Sequence, residues 1–88
     1  MAIIAFDVDG TLIDLQQDTP RYEIIQMFLA FYRLGHAMYI WSGGGVDYAE
    51  HWRDKLGLVA LVAPKGSFKP DIAFDDEHVT LGKVNIKV

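Results

Sequence analysis

The chain has no cysteine among its 88 residues, which removes disulfides, thiolate nucleophiles and thiolate metal sites together. Cysteine-based phosphatase chemistry is excluded, and the composition fits a reducing compartment, with the cytoplasm as the expected location. Basic residues are scarce as well: 8 Lys and Arg stand against 12 Asp and Glu, for a formal net charge of −4. No basic stripe is available to follow a phosphate backbone, so nucleic acid is disfavoured as a partner. No apolar run approaches the ~20 residues of a membrane span. The N-terminus lacks a basic segment and meets acids by Asp7, unlike a signal peptide. The three histidines, His36, His51 and His78, do not fall at metal-ligand spacing, which argues against zinc.

What is present is apolar. Hydrophobic residues make up 51% of the chain and the mean hydropathy is +0.14, enough for a folded globule rather than a disordered segment. The expectation is a single domain over residues 1–88. A chain of this size buries only about 60–65% of its unfolded surface. The core should therefore be thin, and a homo-oligomer is one way to use the apolar excess.

Apolar runs alternate with helical periodicity. Ala2-Ile3-Ile4-Ala5-Phe6 reads as a strand buried on both faces. A polar loop over 13–18 follows. Thr19 as N-cap and Pro20 at the first helical position predict a helix start. Ile24, Ile25, Phe28, Leu29, Phe31 and Tyr32 form its apolar stripe, and Gly35 ends it. Ala37-Met38-Tyr39-Ile40-Trp41 is a second strand, broken by Ser42-Gly43-Gly44-Gly45. A second helix is expected over 46–56 with Gly57 closing it, then strands over 58–62 and 72–74. Residues 79–81 and 84–88, flanking Gly82-Lys83, read as two small strands or a hairpin. The alternation predicts a small Rossmann-like α/β fold, a parallel sheet flanked by helices with right-handed crossovers.

In a parallel sheet the strand ends all point one way. Asp7 and Asp9, Ser42, and Asp75 with Asp76 each follow a strand, so residues distant in sequence converge on one edge, where open α/β sheets bind ligands. Ser42, Gly43 and Gly44 join a strand to a helix, an arrangement whose amides suit phosphoryl oxygens. The pattern is neither a P-loop nor a dinucleotide fingerprint.

Asp7-Val8-Asp9-Gly10-Thr11, the strand ending in Ser42-Gly43, a following lysine, and Ala73-Phe74-Asp75-Asp76 stand in the order found in haloacid-dehalogenase-like phosphohydrolases. The chain resembles that family over nearly its whole length. The resemblance implies a Mg²⁺-dependent phosphomonoester hydrolase. In it Asp7 is the nucleophile, Asp9 the acid and base, and Ser42 and a lysine bind the phosphoryl group with Gly10, Gly43 and Gly44. It also implies Mg²⁺ held by Asp7, the Asp9 carbonyl and Asp76, with Asp75 as the alternative. Its substrate is a phosphorylated compound of undefined class. The gap between Asp9 and the first helix is too short for the cap domain many such proteins insert, so the site should be open. A phosphotransferase, or a module that binds phosphate and metal without turnover, are the alternatives.

Two lysines compete. Lys69-Pro70 matches the family's Lys-Pro element, but Lys69 precedes Asp75 by roughly 20 Å of extended chain and should lie at the opposite edge. Lys65 directly follows the third strand, at the acidic edge, and is the preferred phosphate-side cation.

Overall fold

The first strand is apolar on both faces because it becomes the centre of the sheet. The computed structural model describes all residues, 1–88. In chain order it contains β1 (Ile3–Asp7), α1 (Tyr22–Arg33), β2 (Ala37–Trp41), α2 (Val46–Leu56), β3 (Leu61–Val62), β4 (Ile72–Asp75) and β5 (Val84–Lys87). The five strands form one sheet in the order β3-β2-β1-β4-β5, with every pair parallel. This is the α/β parallel sheet expected from the alternation.

Both helices lie on one face. The α1 residues Ile24, Ile25 and Phe28 and the α2 residues Ala49 and Trp52 share a cluster with Ile4, Phe6, Met38, Ile40 and Phe74. Two successive right-handed crossovers that step the same way across a sheet must put their helices on the same side. Phe6 anchors this layer, stacked on Phe74 at 4.4 Å and edge-on to Phe28 at 5.3 Å. The other face carries Ala5, Trp41 and Ala73. There the segment between β3 and β4 crosses without a helix, and Phe68 closes over Tyr39 at 4.7 Å and Trp41 at 5.3 Å.

Four local expectations need correction. The first helix starts at Tyr22, with Arg21 at the N-cap and no side-chain cap. Thr19 and Pro20 instead belong to a loop that closes on the segment following β1: Asp14 N–H donates to the Thr19 carbonyl at 2.7 Å, and Pro20 bridges Ile13. The same closure buries Ile13 completely, so the loop over 13–18 is not polar throughout. The third strand is only Leu61–Val62, because Gly57 takes a left-handed conformation and Leu58 N–H returns to the Arg53 carbonyl at 3.0 Å. That helix-ending motif draws Leu58 beneath α2 and leaves it buried.

The C-terminus is one strand, not a pair or a hairpin. β5 adds parallel to β4 in the register Ile72↔Val84 to Asp75↔Lys87. Asn85 shapes the approach: its Oδ1 accepts from Leu81 and Gly82 N–H at 2.9 and 2.8 Å, and its Nδ2 donates to the Gly82 carbonyl at 2.8 Å. Gly82 lies so close to Ala73 that a Cβ would stand 3.0 Å from its backbone nitrogen. No helix is long and apolar enough to cross a membrane.

Candidate functional site

The site forms where β1 and β4, neighbours in the sheet, both end in aspartate. Phe6 pairs with Phe74, so the next residues, Asp7 and Asp75, leave the sheet side by side. Both are buried, at 5% and 3% exposure. Asp76 follows, and one carboxylate oxygen from each of Asp7, Asp75 and Asp76 lies within 4.8 Å of the other two. Gly10 makes this approach feasible. It adopts φ +76°, and a Cβ at that position would collide with Asp76 Oδ2.

Three carboxylates so close repel one another, and burial removes the water that would screen them. Lys65 answers part of that charge. Its Nζ donates to Asp7 Oδ1 at 3.1 Å and stands 2.7 Å from Asp75 Oδ2. The second contact is a buried ion pair, and Asp75 Oδ2 has no other hydrogen-bond partner. Asp75 Oδ1 accepts from Glu77 N–H at 3.0 Å.

Protonation follows the same balance. Burial, reinforced by the Asp75 charge and opposed by Lys65, pushes Asp7 up to about 6. Asp7 is thus less acidic than an ordinary carboxyl, yet still mostly ionised at neutral pH. Asp76 is raised as well, by burial and then by its contact with Asp75. For Lys65, burial works against the charge, but the two carboxylates outweigh it and the net shift is upward.

The donor set fits a hard divalent cation. It offers only carboxylate oxygens, one of them buried with no hydrogen-bond partner beyond the Lys65 ammonium, around a net excess of negative charge. The cluster of Asp7, Asp75 and Asp76 could hold such an ion.

Above it opens a cavity of about 290 Å³ bordered by Asp7, Asp9, Ser42, Gly43, Gly44, Lys65 and Asp76, with Leu15 and Glu77 at its rim. The residues expected to converge from separate strands therefore do so. Ser42 is buried at the end of β2, and its Oγ accepts from Gly44 N–H at 3.0 Å. That amide, expected in the cradle, is engaged in folding the turn, while Gly43 is exposed beside it. The Asp9 carboxylate stands outside the three-acid cluster.

The two lysines separate clearly. Lys65 is inside the cluster, whereas Lys69 is exposed and does not border the cavity. It sits two residues before Asp71, which accepts from Ile3 N–H at 2.7 Å at the start of β1, so Lys69 belongs to the opposite edge. His36 is structural, accepting at Nδ1 from Ala2 N–H at 3.0 Å. His51 and His78 are exposed.

Two site residues escaped the sequence reading. Tyr48, in the first turn of α2, donates its hydroxyl to Asp9 Oδ1 at 2.6 Å. Arg21 donates from Nη1 to the Gly10 carbonyl at 2.6 Å, tying the loop after β1 to the entry of α1. A signal existed for Tyr48: the helix begins directly beyond the Ser42 turn, so its first-turn side chains overhang the site. Nothing local marked Arg21.

Fold and site together define a small all-parallel α/β protein with an acidic cluster at the carboxyl edge of its sheet, able to hold a metal ion. Comparison with protein families, curated proteins and solved structures finds no match to this chain.

Proposed function

We propose that this protein is a Mg²⁺-dependent phosphomonoester hydrolase of the haloacid-dehalogenase-like type, working through an aspartyl phosphate on Asp7. One observation carries the reading: Asp7, Ser42, Lys65 and Asp76 arrive from separate segments around one open cavity, with Asp75 buried beside Asp7 and Lys65 beneath it. Asp7 Oδ attacks phosphorus, the bond to the leaving oxygen breaks, and Asp9 protonates that oxygen. Water then attacks the aspartyl phosphate, gives a proton to Asp9, and Asp7 leaves as the carboxylate. Asp7, Asp75 and Asp76 would hold Mg²⁺, whose charge offsets repulsion between the anionic nucleophile and the anionic substrate.

Lys65 has a double role in this reading. It neutralises the acid cluster and, with Ser42, faces the phosphoryl oxygens. The open cavity lacks a cap, so large substrates are sterically allowed, and the substrate is defined only as a phosphomonoester.

The test is phosphate release from a broad panel of phosphomonoesters, with Mg²⁺ or with EDTA, in wild type and Asp7→Asn. Metal-dependent release that disappears in the variant is the expected result. Absence of release from every ester by folded, Mg²⁺-binding protein would overturn the hydrolase reading in favour of a binding module.

A further inference from the structure

The acid–base group and the nucleophile occupy different surroundings. Asp7 is buried among charged neighbours, but Asp9 is only partly buried and lies outside the three-acid cluster. A partly exposed aspartate rotates freely about its side-chain bonds unless something holds it. The Tyr48 hydroxyl donates to Asp9 Oδ1 at 2.6 Å from 39 residues along the chain. Its ring lies against the glycine turn after β2: a Cβ on Gly44 would stand 3.1 Å from Tyr48 Cδ2. The turn that folds around Ser42 therefore also borders the phenol ring.

We infer that Tyr48 is the positioning residue for Asp9, binding Oδ1 so that Oδ2 alone faces the reacting oxygen to give and take the proton. The inference rests on the phosphohydrolase reading above and adds a residue with no assigned role in it. The donor direction matters chemically. A phenol that donates to Oδ1 cannot take the proton Asp9 must deliver, so the acid proton resides on Oδ2. In the first step Asp7 Oδ bonds to phosphorus, the phosphorus–oxygen bond to the alcohol breaks, and the electron pair goes to the departing oxygen. The proton on Asp9 Oδ2 moves to that oxygen, and the Tyr48 contact becomes a charge-assisted hydrogen bond to the new carboxylate. In the second step water bonds to phosphorus, its proton passes to Oδ2, and the pair of the breaking bond returns to Asp7.

This role has a signature that a merely structural role lacks. An alkyl phosphate needs its leaving oxygen protonated, whereas p-nitrophenolate departs without a proton. The experiment compares kcat/KM for glycerol phosphate and for p-nitrophenyl phosphate, with Mg²⁺, in wild type, Tyr48→Phe, Asp9→Asn and the double variant. Because kcat/KM covers events up to departure of the leaving group, it isolates the step in which Asp9 is the acid.

In Tyr48→Phe the alkyl-to-aryl ratio of kcat/KM should fall at least about tenfold, a part of the roughly hundredfold or more that a positioned acid contributes. In the Asp9→Asn background the same substitution should leave the ratio where Asp9→Asn put it. A proportional fall for both esters, an unchanged ratio, or a further fall in the double variant would each overturn the positioning role while hydrolysis by wild type still stood. Failure of wild type to hydrolyse either ester or any other phosphomonoester would remove the functional reading itself.

Discussion

Replacing the nucleophile candidate should make the metal-free protein more stable. Asp7 is buried beside Asp75 and Asp76, and its pKa is raised from 3.8 to about 6 by burial, then by Asp75, net of Lys65. At 1.36 kcal/mol per pKa unit, an ionised Asp7 destabilises the fold by about 3 kcal/mol relative to its protonated form. Asn has the shape of the protonated acid and no charge to desolvate. Below about pH 4, Asp7 holds its proton in folded and unfolded chains alike, and Asp7→Asn should change little. Between about 4 and 6 the unfolded chain ionises while the folded chain keeps the proton, so wild type alone loses stability. Above about 6 the gap is constant. The assay is urea denaturation in EDTA across pH 4 to 8, with thermal unfolding at about pH 7.5. For a domain this small, about 3 kcal/mol corresponds to a rise in Tm of at least about 10 °C. Such an exchange of stability for function is expected where like charges are gathered for chemistry. An Asp7→Asn variant less stable than wild type at neutral pH without metal would refute the reasoning, because Lys65 would then over-compensate the buried charge.

Two further outcomes follow from the same cluster. Mg²⁺ should raise the Tm of wild type, with a stabilisation of about 2.7 kcal/mol at a concentration one hundred times Kd; Asp75→Asn and Asp76→Asn should each blunt the shift in a thermal titration, and EDTA should abolish it. Lys65→Met should lower metal-free stability at neutral pH by about 3 kcal/mol, since two buried carboxylates lose their cation. Exposed Lys69→Met should stay within about 0.5 kcal/mol of wild type. Denaturation curves that rank these two lysines in the opposite order would place the charge compensation elsewhere.

Much of this protein is determined locally. The continuous apolar run before Asp7 makes a strand buried on both faces, and α2 and its left-handed Gly57 match the expected 46–56 span. The convergence of Asp7, Ser42 and Asp75 on one edge was legible for a simple reason: in a parallel sheet the chain direction alone decides which end of each strand meets the others. Even the placement of Lys65 rather than Lys69 in the cluster follows from the reach of an extended chain.

What required the tertiary structure is what depends on partners distant in sequence. Thr19 and Pro20 carry a strong helix-start signal, yet the loop that follows β1 closes on itself, Asp14 N–H bonding the Thr19 carbonyl and Ile13 bridging Pro20, and holds them out of the helix. The last segment has the composition of a hairpin, but the free edge of β4 and the Asn85 turn make it a parallel strand. The Tyr48–Asp9 contact joins distant segments, and the upward shift of Asp7 comes first from burial and then from the approach of Asp75, with Lys65 opposing both. Local sequence determined which residues form the strands and supply the acids, because propensity and apolar periodicity act over a few neighbours. Only the packed chain decided hydrogen-bond partners, burial and protonation, because those energies arise between groups that sequence separation does not relate.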